Sequence, residues 1–233
     1  MPNILCTICM RAGSKGVVNK NLKLINNKPL LYYTINQAKK SKIFTKIVIS
    51  TDSNKIAKFS KTYGAEVFFK RPKKMSLSTS PKIPVVRHAL IKSEKEFNLK
   101  FDYIFDLDVT SPLRTVNDLQ KAFKLFKKNN SDNLISATNS NKSPYFNQIE
   151  FKKSKYDIVK RIKNFPKRRQ DSPKVFDMNA SIYIWKRNKL LSSDNLFTNK
   201  TSLYLMPPER SCDIDTQLDF EFVNYMILKN EKK

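Results

Sequence analysis

The chain is short of glycine, histidine, tryptophan, cysteine and acid. Its 233 residues include three glycines, one histidine, one tryptophan and three cysteines, and 20 acidic residues stand against 45 Lys and Arg. Three cysteines are an odd number in a chain of ordinary domain size, so no disulfide framework is expected and a reducing cytoplasm fits best. Cys6 and Cys9 share CxxC spacing, but they fall in a predicted strand, where residues three apart point to opposite faces; structural burial is expected, not a shared metal. The lone histidine, His88, lies mid-helix and reads as structural rather than as a catalytic base. No run of about 18 apolar residues exists, so no membrane span is expected. The chain starts at once with the apolar run Ile4-Leu5-Cys6-Thr7-Ile8, without a basic leader, so a secretory signal is not expected either.

Positive charge is what the chain has in excess, with a formal net charge of +25. A balance this basic invites nucleic acid, because Lys and Arg neutralise phosphates. Here the cations are spread along the whole sequence and do not interleave with aromatics as in RNA-binding signatures. Nucleic acid is therefore not the expected partner, and the same field serves an anionic small molecule. The reading from a different class, a basic nucleic-acid-binding protein without catalysis, predicts salt-sensitive binding to DNA or RNA.

Hydrophobic residues make up 40% of the chain, enough for one large domain over residues 1–233. Strand-like runs at Ile4 to Cys9, Lys46 to Ser50, Glu66 to Phe69, Tyr103 to Leu107 and Leu134 to Ala137 alternate with helical patterns. Pro29 opens one helix, Ser53 caps the next before Gly64, Pro84 opens a third and Thr115 caps a fourth. Such alternation predicts an α/β fold with a mostly parallel sheet. From about 139 to 177 the pattern becomes charged and β-rich, with a strand-like fragment at Tyr145 to Phe151, which reads as an inserted arm. The core resumes with Ser181 to Trp185, a short helix near Asn188 and a strand from Ser202 to Met206. A final helix from about Thr216 to Leu228 carries a capping box of Thr216 and Asp219, with Leu218, Phe222, Tyr225 and Met226 sharing one face.

The strongest local signal is Arg11-Ala12-Gly13-Ser14-Lys15-Gly16, followed by Lys20-Asn21, directly after the first strand. Two of the three glycines sit there. Glycine allows close backbone approach to a ligand, backbone amides can cradle phosphate oxygens, and Arg11, Lys15 and Lys20 add charge-assisted bonds to a triphosphate. In an open parallel sheet, ligands sit at the carboxyl ends of the strands, where this loop lies. It is neither a Walker loop nor a dinucleotide fingerprint, and a solvated basic turn is the plain alternative.

The loop resembles the signature of the acylneuraminate cytidylyltransferases, the CMP-sialic acid synthetases. Further matches follow in that family's order: Ser50-Thr51-Asp52, Arg71-Pro72, His88-Ala89-Leu90, Thr110-Ser111-Pro112-Leu113-Arg114, Arg169-Gln170, Asn179-Ala180-Ser181-Ile182-Tyr183 and Asp213-Ile214-Asp215-Thr216. The resemblance covers nearly the whole chain. It implies a Rossmann-like nucleotidyltransferase fold, CTP as donor, Mg²⁺ as cofactor, a nonulosonic acid as acceptor, and a homodimer built partly by the arm. It implies that Arg11, Ser14, Lys15 and Lys20 hold the triphosphate. Asn21, Arg71 and Ser80 face ribose and cytosine. Asp108, Thr110, Ser111, Arg169, Gln170 and Asn179 face the sugar, and Asp213 and Asp215 bind the metal. Two carboxylates two residues apart, entering a helix, suit a hard cation completed by phosphate oxygens, although Asp215 alone could simply cap the helix. Arg11, Lys20 and Asp215 are the expected catalytic residues for in-line attack of the anomeric hydroxyl on the α-phosphorus.

The sequence departs from the family on the sugar side. Many members carry Gln where Asp108 stands. A carboxylate there repels the sugar's own carboxylate unless paired, or it joins Asp215 at the metal, as in the related Kdo cytidylyltransferases. Ala180 replaces a usual glycine, and Asp177 stands where some relatives carry Arg. N-acetylneuraminate, legionaminate and pseudaminate all remain candidate acceptors. Kdo is the alternative acceptor, and a nucleotide-binding chain that no longer turns over is a third reading. Asp52 reads as a helix cap, Trp185 as core, and Arg114 as either a loop anchor or a substrate contact.

Overall fold

The computed structural model describes residues 1–14 and 16–231. In chain order the elements are β1 (Ile4–Cys9), β2 (Leu24–Ile25), β3 (Lys28–Pro29), α1 (Leu30–Ser41), β4 (Lys46–Ser50), α2 (Asn54–Thr62), α3 (Lys82–Phe97), β5 (Tyr103–Leu107) and α4 (Val116–Lys128). They continue with β6 (Asn133–Asn139), β7 (Ile149–Lys152), β8 (Lys155–Ile158), β9 (Phe176–Lys186), α5 (Arg187–Ser192), β10 (Thr201–Leu205) and α6 (Gln217–Glu231). A six-stranded sheet runs in the order β10-β6-β9-β5-β1-β4. Only β9 opposes its neighbours; the other strands share one direction. The sheet is covered on both faces, which is why β1 and β5 are mostly apolar, with Thr7 and Asp106 as buried polar exceptions. Along β1 the pleat sends Ile4, Cys6 and Ile8 into a core shared with α1, α4 and α6, and Leu5 into a second core beneath α3 and α5. Cys6 and Cys9 accordingly lie in different layers.

The start and stop signals read from sequence correspond to local bonds. The Ser53 hydroxyl accepts from the Ile56 amide at 3.3 Å. Thr115 and Asp118 close a capping box, as do Thr216 and Asp219. Gly64 follows α2 with φ of 83°. Four expectations need correction. Glu66 to Phe69 is not a strand, because only Glu66 bridges to Val48 before the chain leaves the sheet edge. The third helix starts at Lys82 behind Pro81, and Pro84 sits inside its first turn, where a missing N–H costs nothing. In the arm, strand begins only at Ile149 and pairs with β8 as a hairpin. The last helix buries Phe220, Val223 and Ile227; Leu218, Phe222 and Tyr225 face solvent.

The segment Asn179-Ala180-Ser181 is a bulge in β9. Ile135 pairs with Tyr183, but Ala137 pairs with Met178, so the ladder with β6 is interrupted. The Ser136 hydroxyl fills the gap, donating to Asn179 Oδ1 and accepting from the Ile182 amide, both at 2.7 Å. Inside the bulge Ala180 has φ of 51°. A Cβ in the left-handed region costs about 1 kcal/mol relative to glycine. Ala180→Gly is therefore expected to raise the melting temperature by roughly 2–4 °C in a chain of this size, as read by calorimetry; an unchanged or lower value would mean that the neighbours, not the backbone, set this conformation.

Candidate active site

Four segments converge at the carboxyl ends of β1 and β5. The first is the loop after β1. Its shape is set by groups that reach across the sheet edge: Met10 N–H donates to Ser50 O at 2.9 Å, Arg71 Nη2 donates to Met10 O at 2.6 Å, and Asn21 Nδ2 donates to Arg11 O at 3.1 Å. The Ala12 amide donates to Asp52 Oδ1 at 2.8 Å. Asp52 thus holds the loop and does not cap α2, a role taken by Ser53 alone. Arg11 folds back onto the Gly13 carbonyl at 2.6 Å, and Gly13 has φ of 73°.

The second segment, Asp213-Ile214-Asp215, lies against that loop. A Cβ on Gly16 would stand 1.9 Å from the Asp215 carbonyl oxygen, so glycine is the residue that lets the two segments touch. Lys20 is buried and donates to the Ile214 carbonyl. Its ammonium is 3.5 Å from Asp215 Oδ1. Ile214 N–H donates to Thr110 O at 2.9 Å, which ties in the loop after β5. Asp215 is exposed, whereas Asp213 is half-buried with Oδ1 enclosed and no partner among the described residues. Burial, and then the Asp215 charge, raise the Asp213 carboxyl against an opposing bond from Thr110. An enclosed acidic oxygen without a donor is chemically suited to a hard cation.

The third segment is the turn of residues 71–80, where Arg71 is buried and donates to Ser76 Oγ at 3.1 Å. The fourth is Asp108-Val109-Thr110. Two adjoining cavities result. One of about 260 Å³ is lined by Arg11, Ser14, Lys20, Asn21, Thr110 and Asp215, with Asp108 at its edge. The other, of about 210 Å³, is lined by Arg11, Arg71, Ser80, Lys82 and Asp108. Lys15 lies outside the described residues.

Some expected sugar residues stand elsewhere. Ser111 and Asn179 are buried and spent on the scaffold. Ser111 Oγ donates to the Asn179 carbonyl at 2.9 Å, and Asn179 Nδ2 donates to Ser211 Oγ at 3.0 Å. Neither retains an exposed group to offer a sugar. Arg114, fully buried, donates to Ser181 O, Thr34 Oγ1 and the Asp108 carbonyl at 2.6–2.8 Å. It is the loop anchor, and burial lowers its guanidinium to about 10. Arg169 and Gln170 line a separate cavity of about 620 Å³ between arm and body. Asp108 is paired with an ammonium: Lys82 Nζ sits 2.7 Å from its Oδ2 and 2.8 Å from Asp106 Oδ2. Among the described residues no three acidic, cysteine or histidine side chains are gathered to hold a metal. Sequence reading passed over Lys82, although two acidic residues on one strand end, Asp106 and Asp108, signal the need for a cation.

A mostly parallel sheet with a glycine-bearing basic loop at its carboxyl edge, facing an acidic pair, defines a nucleotidyltransferase. The chain belongs to the cytidylyltransferase family, whose model matches residues 5–226. Among known proteins it is 49% identical to the post-translational flagellin modification protein B of Campylobacter coli, over 97% of this chain and 96% of that protein. It is 47% identical to the CMP-N,N'-diacetyllegionaminic acid synthase of Campylobacter jejuni, over 99% and 97%. Among solved structures, CMP:2-keto-3-deoxy-manno-octonic acid synthetase complexed with CTP superposes with a TM-score of 0.70 at 12% identity, covering 98% of this chain and 99% of that one, a likeness of fold. No helix among the described residues is long and apolar enough to cross a membrane.

Proposed function

We propose that the protein transfers the cytidylyl group of CTP to the anomeric hydroxyl of a nonulosonic acid, releasing pyrophosphate, and that the acceptor is N,N'-diacetyllegionaminic acid. The observation that carries the reading is the contact of the Arg11 to Gly16 loop with Asp213-Ile214-Asp215 across Gly16. Arg11 and Lys20, cations suited to a triphosphate, line one cavity together with Asp215, a carboxylate suited to a metal, and Asp213 lies two residues away. The choice of acceptor is supported by 47% identity, over almost the full length of both chains, to an enzyme named for that product.

In this reading Arg11, Ser14, Lys15 and Lys20 hold the triphosphate, and Asn21, Arg71 and Ser80 face ribose and cytosine. Lys20, already seated between the Ile214 carbonyl and Asp215, needs little reorganisation to meet developing phosphate charge. Asp213 and Asp215 would hold Mg²⁺; the enclosed Asp213 Oδ1 fits a hard cation whose remaining ligands come from phosphate. When bound, the ion neutralises phosphate oxygens. Asp108 and Thr110 border the acceptor. The arm, with Ile149, Phe151 and Tyr156 exposed, serves a homodimer, which gives Arg169 and Gln170 a route to an acceptor.

Pyrophosphate release with CTP and Mg²⁺ tests this, with a panel of legionaminic, pseudaminic and N-acetylneuraminic acids and Kdo, and Asp215→Ala as control. Fastest release is expected with the diacetylated legionaminic acid, falling by about 100-fold or more in the control. Release with Kdo alone, or with no acid at all, would overturn the proposal.

A further inference from the structure

Lys82 is the first residue of α3, and its ammonium occupies an unusual place. It bridges Asp106 Oδ2 at 2.8 Å and Asp108 Oδ2 at 2.7 Å, and stands over the Tyr183 ring, 4.5 Å from the centroid. An ammonium has three donors and no acceptor; two are spent on the carboxylates and the third faces the ring. The carboxylates differ in position. Asp106 is fully enclosed and also receives the Thr7 hydroxyl at 2.8 Å. Asp108 stands on the wall shared by the two cavities, and among the described residues no donor meets its Oδ1.

A bare carboxylate on that wall would oppose the carboxylate of an entering sugar acid, whereas the charge of a triphosphate is met by Arg11 and Lys20 in the same cavity. One ammonium against two carboxylates leaves the cluster with one net negative charge. With Oδ2 paired to Lys82, Oδ1 is left as an acceptor on a residue that lines both cavities. We infer that Lys82 is a specificity-determining residue: its contact with Asp108 turns a like-charge barrier into an acceptor for a neutral N–H or O–H of the sugar, so that the acceptor is oriented with its own carboxylate away from this wall. The inference rests on the acceptor reading above. It assigns Lys82 a positioning role through Asp108, separate from its structural pairing with Asp106.

The two roles are separable by charge removal. In steady-state assays with the preferred acid, Lys82→Met is expected to raise KM for the sugar at least about tenfold, with KM for CTP changed by less than about threefold. Adding Asp108→Asn to Lys82→Met is expected to recover most of the sugar KM, because it removes the bare charge facing the sugar. Adding Asp106→Asn instead should not. Should Lys82→Met fail to fold for want of a partner to buried Asp106, Lys82→Met with Asp106→Asn carries the same unpaired Asp108. The comparison is then between that double variant and the triple variant that also has Asp108→Asn. Recovery on neutralising Asp106, equal losses for CTP and sugar, or an unchanged sugar KM would each overturn the inference. A wild-type protein that turns over no acid would overturn the acceptor reading instead.

Discussion

Asp213→Asn is expected to give a protein that melts higher and works far less well. The Asp213 carboxylate keeps Oδ1 enclosed without a donor, a loss of about 1–3 kcal/mol for a buried polar group left unmet. Burial and the neighbouring Asp215 raise its pKa in the folded chain. The sign follows from linkage. A carboxyl whose folded pKa is raised binds its proton more tightly folded than unfolded, so the folded state loses stability as pH rises through the interval between the two values. Above that interval the charged form carries its full cost. The amide removes the cost of the buried charge, though not the enclosed oxygen, so the variant should be more stable at neutral pH by about 1 kcal/mol. That advantage should vanish as pH falls into the ordinary carboxylate range. Turnover should move the other way, with kcat/KM down by about 100-fold or more, since an amide cannot neutralise a divalent cation among phosphates. Thermal melts at several pH values, paired with pyrophosphate release, read both effects. A destabilised variant with normal turnover would show that Asp213 is a structural carboxylate.

Gly16→Ala should lose activity through backbone displacement alone. The added Cβ falls 1.9 Å from the Asp215 carbonyl oxygen, well inside van der Waals contact, and the obstacle is main chain, which has no rotamer to yield. Either the basic loop or the Asp213 to Asp215 segment must move, and a displacement near 1 Å at reacting groups costs about 100-fold in rate. The fold should survive, with about 1–3 kcal/mol of stability lost to overpacking. Gly13→Ala is the contrast. Its Cβ meets nothing nearer than Arg11 Nη1 at 4.0 Å, and only φ of 73° opposes it. It should cost about 1 kcal/mol of stability and about tenfold or less in kcat/KM. Equal activity losses in the two variants would mean that contact between the two segments is not what Gly16 provides.

Much of this was legible along the chain because it is local. The run of β1, the hydroxyl caps Ser53 and Thr115 and the break at Gly64 answer to propensity and to hydrogen bonds a few residues long, and the structure reproduces them. The failures are also physical. Glu66 to Phe69 has strand composition but meets only an edge, where one bridge is all the sheet offers. On α6 an apolar stripe was visible, but two faces carried apolar residues, and only packing against the core chose Phe220, Val223 and Ile227.

The sequence by itself determined an α/β chain with a glycine-bearing basic loop after its first strand and an acidic pair before its last helix. What only the tertiary structure decided is which side chains at those places are free. Ser111 and Asn179 are consumed by a bulge in β9, and Arg114 is buried as the pin between that bulge and the Asp108 backbone. Lys82 and Asp108, 26 residues apart, meet as one charge cluster. Motif spacing records chain distance, whereas hydrogen-bond and charge satisfaction depend on what the fold brings within 3 Å or so, and the two coincide only inside single elements.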